Sequence, residues 1–379
     1  MTILFNDFKD GILPSQFISE LIQKNHIFSN EKITKDLIQP ASLDLRLGFQ
    51  GWRVPASFLS GKSKSVEEKL NDLSMHQFSL SDGAVLECGC VYIVKLLEGL
   101  NLPENISGLA NPKSSTGRLD IFTRLIVDYN QEFETIPKGY KGPIYLEISP
   151  RTFSIVVRTG SKLNQLRFSI GNLSISDEKM IELQIEHGLI RDNNTKTLSD
   201  KVQNGIPMSV DLKGDEGLVG YKAKKHAMLI DCDKVSSYEL DFFWEKITTK
   251  DLIYSKNKLN RSLVLSPDAF YILASKEFVS VPSDLAAEMR AYDTKVGEFR
   301  AHYAGFFDPG FGLSCLNAGN TKAVLEIRSH DVPFLIEDGQ TICRLIYEPM
   351  AQKPMELYGE KEGKNNYQAQ GLKLSKHFI

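Results

Sequence analysis

Lys113-Ser114-Ser115-Thr116-Gly117-Arg118 places two cations, three hydroxyls and a glycine in six consecutive positions. Such a set suits a polyphosphate. The lysine offers a point charge, the arginine a planar fork, and the serine hydroxyls donate to phosphate oxygens. Gly117 lets the backbone come close to a ligand. The same residue types also build solvated turns, so the stretch alone leaves both readings open. A second stretch, Ala304-Gly305-Phe306-Phe307-Asp308-Pro309-Gly310-Phe311-Gly312, sets a carboxylate between aromatic rings at a tight turn. Aromatic walls with one carboxylate suit a flat base and a sugar hydroxyl. Taken alone, the stretch equally describes a hydrophobic hairpin with an Asp-Pro-Gly turn.

The remaining chemistry-bearing residues exclude more than they suggest. The histidines are scattered, and no His-x-Glu is followed by Pro-Cys-x-x-Cys, the zinc pattern of base deaminases. Neither a P-loop nor a Rossmann glycine pattern occurs. Cys88-Gly89-Cys90 is the one close cysteine pair, and its alternating apolar neighbours predict two strand residues. No metal site is expected. The five cysteines are an odd number without a disulfide framework, and the N-terminus lacks the features of a signal peptide, so a reducing cytoplasm is expected. A net charge of −3 argues against binding along a nucleic-acid backbone, and no apolar run reaches membrane-spanning length.

The elements that must position these residues are mostly strands. Phe17, Ile18, Leu21 and Ile22 share one helical face, which predicts a helix over Pro14–Gln23 with Ser15 as N-cap. Ser42–Gly48 alternates as a strand. Val54–His76 is polar and reads as a long loop. Ala84–Leu97, Ile121–Val127, Gly142–Ile148, Phe153–Val157 and Asn164–Phe168 read as strands. Ile181–Ile190 then reads as a helix ending near Gly188, after which the pattern starts again. Ile206–Gly214 repeats the proline, serine, aspartate and glycine-ended run of Pro40–Gly48. Leu265–Leu273 echoes Leu86–Val94, Val281-Pro282 echoes Leu102-Pro103, and Leu325-Glu326-Ile327 echoes Leu146-Glu147-Ile148. Matched blocks in one order predict two copies of one mainly β fold, residues 1–172 and 173–379, each a compact barrel or sandwich with a few short helices.

The combined motifs resemble the dCTP deaminase family of the dUTPase-like superfamily. Its Arg-Ser-Ser-x-x-Arg phosphate motif is similar to Lys113–Arg118, its Gln-Pro-x-Ser-x-Asp-x-Arg-Leu-Gly to Gln39–Gly48, and its Ala-Gly-Phe-Ile-Asp-Pro-Gly-Phe to Ala304–Phe311. Its catalytic glutamate follows a leucine, as Glu147 and Glu326 both do, and its C-terminal lid resembles Tyr358-Gly359, Gly363-Lys364 and Tyr367-Gln368-Ala369-Gln370-Gly371. The resemblance implies tandem dUTPase-like distorted β-barrels (β-clip domains), homo-oligomers built on threefold barrel packing, and zinc-independent conversion of dCTP to dUTP and ammonia. It implies a glutamate, Glu326 or Glu147, that activates a water, helped by the backbone of Ala304. Lys113, Ser114, Ser115 and Arg118, with Mg2+, would hold the triphosphate. Asp308 and Phe307 would contact sugar and base, and Tyr358, Lys364, Tyr367 and Gln370 would form the lid. dTTP is a candidate regulator.

Departures from the family pattern divide the motifs between the copies. Pro137 stands where the family has aspartate, and in the second copy Arg290-Ala291-Tyr292-Asp293-Thr294-Lys295 has lost the serine pair. The expected outcome is a composite site, with phosphate contacts from the first copy and base, sugar and lid contacts from the second. Glu326 is then the proton shuttle, with Glu147 in first-copy sites as the rival. The alternatives are a dUTP diphosphatase, a bifunctional enzyme, and a deoxynucleotide-binding protein without turnover.

Overall fold

The computed structural model describes residues 9–192, 202–255, 260–291, 299–301, 305–329, 332–360 and 367–379. The chain is mainly β and divides into two compact units. Unit 1 holds Met1–Ser174, Met228–Val235 and Glu348–Glu356; unit 2 holds Ile175–Ala227, Ser236–Tyr347 and Leu357–Ile379.

In unit 1 the main sheet joins β1 (Leu47–Val54), β3 (Val91–Asn101), β6 (Lys141–Pro150) and β5 (Ile121–Val127) in antiparallel order. A second sheet pairs β4 (Ile106–Pro112) with β8 (Asn164–Ile170), and a third pairs β2 (Ala84–Leu86) with β7 (Ile155–Val157). From Ile144 to Pro150, β6 is buried on both faces, which explains its nearly continuous apolar run. The strand Ile230–Asp231 adds to β7 in parallel. It is held by Arg158, which donates to both carboxylate oxygens of Asp231 at 2.7 and 2.9 Å.

Unit 2 repeats the plan. β10 (Leu218–Ala223), β12 (Phe270–Val279) and β15 (Lys322–Ser329) form the main sheet. β9 (Ile206–Ser209), β17 (Thr341–Pro349), β13 (Leu285–Ala291) and β14 (Phe306–Phe307) form the second, and β11 (Arg261–Leu265) pairs with β16 (Phe334–Glu337). The two copies keep a constant offset of 179 positions over most of their strands, as in Tyr92 and Tyr271 or Glu147 and Glu326. Side chains repeat with it. The Tyr92 hydroxyl accepts from the backbone N–H of Glu87 (3.1 Å), and the Tyr271 hydroxyl from that of Ser266 (2.8 Å). Glu98 and Glu277, also 179 apart, are both buried and raised by burial. Glu98 accepts from the backbone N–H of Arg46 (2.8 Å), and Glu277 from that of Ser209 (2.9 Å).

Several local expectations change. The first helix, α1 (Ser15–Gln23), has Pro14 at its N-cap, and Ser15 gives its backbone N–H to the Pro40 carbonyl (3.0 Å) instead of capping. The polar stretch after Val54 contains α2 (Val66–Leu73). A reciprocal capping box between Ser65 and Glu68 starts it, and burial of Val66 and Leu70 holds it down. Cys88-Gly89-Cys90 lies in the turn between β2 and β3 and not in a strand, because Gly89 adopts a left-handed φ of 78°. Among the described residues the sheets stay open, and none closes into a barrel.

Candidate active site

The phosphate-type stretch is not a loop. Ser114–Gly117 forms a single helical turn, α3, packed against β5. Ser115, Thr116 and Arg118 are buried and Ser114 is half-buried. The Thr116 hydroxyl is used structurally, donating to the Leu163 carbonyl (2.8 Å). Lys113 forms an ion pair with the nearly buried Asp44. From the Gln39–Gly48 motif, Asp44 therefore braces this turn. Asp44 holds Lys113, Ser42 donates to Gln165 (3.3 Å), and Arg46 donates from Nε to Glu98 (2.7 Å).

Glu147 sits mid-strand on β6 at 1% exposure, opposite Arg124 of β5 in the antiparallel register. Arg124 donates from Nε (3.0 Å) and Nη2 (2.7 Å) to the same oxygen, Oε1. Its guanidinium lies 3.7 Å from the Phe133 ring centroid and 4.7 Å from that of Phe122, and Nη2 also reaches Ser57 Oγ. Arg124 escaped the sequence reading. Residues 23 positions apart become neighbours only through the β5–β6 register, which no local pattern announces.

A second carboxyl lies in the same cluster. Glu134 has a left-handed φ of 64°, and its carboxylate accepts from the Leu125 backbone N–H (3.1 Å). Burial pushes it up to about 8, against the Leu125 N–H, the Arg124 charge and a hydrogen bond with Asn164, while the Glu147 charge adds to the rise. In the fold it thus keeps its proton well above the ordinary value of 4.5. The unfolded chain loses that proton near 4.5, so the folded state binds more protons between there and about 8, and stability falls as pH rises. The slope is about 1.4 kcal/mol per pH unit for one such group. Glu134→Gln, neutral at every pH, is expected to remove this loss. Urea unfolding at pH 5.5 and 8 checks it: the variant should gain on the parent toward pH 8, and parallel pH dependences would refute the assignment.

Unit 2 presents the other motif. β14 leads into the Asp308–Gly312 turn, where Gly310 (φ 104°) and Gly312 (φ 68°) need positive φ. Asp308 is buried. Phe307 and Phe311 meet edge to face at 5.0 Å, and Phe311 meets Tyr358 at 5.8 Å. A Cβ at Gly310 would fall 2.6 Å from the Tyr358 backbone, so glycine admits the tail. Gln368 clamps the turn, donating to the Gly310 carbonyl (3.0 Å) and accepting from the Gly312 N–H (3.2 Å). Gln370, also expected in the lid, donates to the Lys322 carbonyl at the start of β15 (3.1 Å). Tyr367 is buried and gives its backbone N–H to the Tyr358 hydroxyl (3.3 Å). Beyond it, Phe378 packs edge-on to Phe243 (5.4 Å) and Trp244 (5.9 Å), which anchors the tail's end.

Glu326 is buried on β15, opposite Ile272 of β12. Arg290, the basic residue at the second copy's phosphate position, pairs with Glu288 (3.0 Å). Ala304, Lys295 and Lys364 lie outside the described residues.

Comparisons with known proteins identify the family of the chain. Residues 9–172 match the model of the 2'-deoxycytidine 5'-triphosphate deaminase (DCD) N-terminal domain, and residues 176–378 that of its C-terminal domain. The crystal structure of 2'-deoxycytidine 5'-triphosphate deaminase from Agrobacterium tumefaciens is 49% identical. It superposes with a TM-score of 0.82, covering 90% of this chain and 99% of that one. "dCTP deaminase, dUMP-forming" of Methanobrevibacter smithii is 28% identical over 203 residues, 52% of this chain and 92% of that protein. The "dCTP deaminase" of Shewanella amazonensis is 26% identical over 159 residues, 40% of this chain and 79% of that protein. The chain belongs to the 2'-deoxycytidine 5'-triphosphate deaminase family and is an enzyme of that family. Among the described residues no helix is long and apolar enough to cross a membrane.

Proposed function

We propose that the protein deaminates dCTP to dUTP and ammonia. The observation that carries this reading is the pair Glu147 and Glu326. In a chain of the dCTP deaminase family, each is a buried carboxylate following a leucine on the corresponding strand of its unit. In this reading the carboxylate accepts a proton from a water, whose oxygen bonds to C4 of cytosine. The carboxyl then passes the proton to the departing amino group, the C4–N bond breaks and ammonia leaves, and the remaining hydroxyl proton moves to N3 to give the C4 carbonyl of uracil. Glu326 is the preferred shuttle, because it belongs to the copy that carries the Ala304–Phe311 motif and the tail. Ser114, Ser115 and Arg118 are assigned to the triphosphate, Phe307 and Asp308 to base and sugar, and Tyr358 and Tyr367 to the cover that excludes water. Mg2+ would enter with the triphosphate beside Ser114, Ser115 and Arg118 and would offset part of its negative charge. A second reading, release of dUMP, is favoured by the names of relatives such as the Methanobrevibacter smithii and Corynebacterium glutamicum proteins.

Activation of water by a carboxylate asks for no zinc. Purified protein should release ammonia from dCTP in proportion to time and enzyme. It should contain far less than one zinc per chain and regain full activity with Mg2+ alone after chelator treatment. Stoichiometric zinc whose removal ends activity would refute the carboxylate mechanism. No ammonia from dCTP would refute the function.

A further inference from the structure

We infer that Gln368 is a positioning residue for nucleotide binding: its amide joins the tail to the Asp308 turn, so that docking the tail and shaping the sugar and base contacts are one event. The inference rests on the assignment of Phe307 and Asp308 to base and sugar, and deepens it by naming the residue that sets their turn.

The Gln368 amide uses both its ends. Nε2 donates to the carbonyls of Gly310 (3.0 Å) and Tyr358 (3.3 Å), and Oε1 accepts from the Gly312 N–H (3.2 Å). One half-buried side chain meets the turn at two points and Tyr358 at a third. Tyr358 also gives its backbone N–H to the Pro309 carbonyl (2.8 Å). Space for the amide comes from glycine, since a Cβ at Gly359 (φ 99°) would fall 2.4 Å from Gln368 Nε2. Ala369 then adopts φ 53°, a left-handed conformation that is unfavourable for a residue with a Cβ. The bend there lets the two glutamines act in different places. Gln370 exchanges two hydrogen bonds with Lys322: its carbonyl accepts from the Lys322 N–H (2.9 Å), and its amide donates to the Lys322 carbonyl (3.1 Å). One glutamine fixes the tail to the Asp308 turn, and the other fixes it to the start of β15.

The first copy builds the corresponding turn with two of the same backbone bonds. At Pro137-Lys138-Gly139-Tyr140, the Tyr140 N–H donates to the Pro137 carbonyl (3.2 Å), and the Tyr140 carbonyl accepts from the Leu102 N–H (2.9 Å). In the second copy the Phe311 N–H donates to the Asp308 carbonyl (3.1 Å), and the Phe311 carbonyl accepts from the Val281 N–H (2.8 Å). Tyr-Gln-x-Gln occurs once in the chain, in the copy whose turn carries the aspartate. Backbone bonds therefore shape the turn in both copies, and Gln368 adds a constraint where the proposed sugar contact is made. A turn and tail already fixed before the nucleotide arrives lower the ordering cost of binding. Losing that constraint should appear in KM and leave proton transfer intact.

The test compares Gln368→Ala and Gln368→Glu with the parent, each first confirmed as folded by circular dichroism. Gln368→Ala removes all three contacts. Gln368→Glu keeps the size and the acceptor for Gly312, but as a carboxylate it cannot donate to the two carbonyls. Both should raise KM for dCTP by about tenfold and hold kcat within about threefold of the parent, the pattern of lost uniform binding. In the protein without nucleotide, hydrogen exchange of the Gly310–Leu313 amides should quicken in Gln368→Ala. A fall in kcat that exceeds the rise in KM, a parental KM in both variants, or unaltered exchange would overturn the inference. If the parent itself releases no ammonia from dCTP, the proposed function fails, while the exchange comparison still decides whether Gln368 sets the turn.

Discussion

Glu326→Gln is expected to lower the rate of dCTP deamination by about 10²–10⁴-fold, the range supplied by a positioned acid–base group. Gln keeps the size and hydrogen-bonding shape of the side chain and removes only its capacity to carry the proton. Glu326 lies in the interior of β15, flanked by β12 in a sheet whose packing depends on Leu325 and Ile327. An isosteric change there should leave the strand in register. KM for dCTP should change little, because base and sugar contacts are assigned to Phe307 and Asp308. Steady-state ammonia release across pH 6–9 checks both parts. A normal kcat in Glu326→Gln would move the chemistry to another group.

The second large effect is expected at the first unit's helical turn. Arg118→Ala should weaken dCTP binding or turnover by roughly 10–100-fold, the equivalent of about 1.5–3 kcal/mol for one hydrogen bond to a charged group. Arg118 is nearly fully buried beside Ser115, at the end of a turn braced by the Lys113–Asp44 pair. Ser114→Ala should act in the same direction by less, as a neutral donor. Arg290→Ala should leave KM within about twofold, because that guanidinium pairs with Glu288 on its own strand. Comparable losses at Arg118 and Arg290 would mean that both units bind phosphate.

The repeat was legible because it lives in short-range patterns. Leucine before glutamate, proline after an apolar residue and the Pro40–Gly48 run all survive as strings, and the structure adds matching contacts such as those of Tyr92 and Tyr271. What stayed hidden depends on distance along the chain. Nothing near Glu147 announces Arg124, because their pairing is a property of the β5–β6 register. The addition of Ile230–Asp231 to β7 joins residues more than seventy positions apart through a parallel pairing. α2 was missed for a different reason. Its apolar positions are few and its mean hydropathy is low, so the polar run hid a helix whose Ser65–Glu68 capping box was present in the sequence. In the tail, the resemblance singled out Gln370, and the structure adds Gln368, two positions earlier, as the residue that clamps the Asp308 turn.

Ammonia and pyrophosphate measured together during dCTP turnover test the central assignment most directly. Deamination that leaves the triphosphate intact gives one ammonia for each dUTP and no pyrophosphate. Pyrophosphate released in step with ammonia, with dUMP as the product, would contradict dUTP formation, and pyrophosphate from dUTP without ammonia from dCTP would contradict deamination itself.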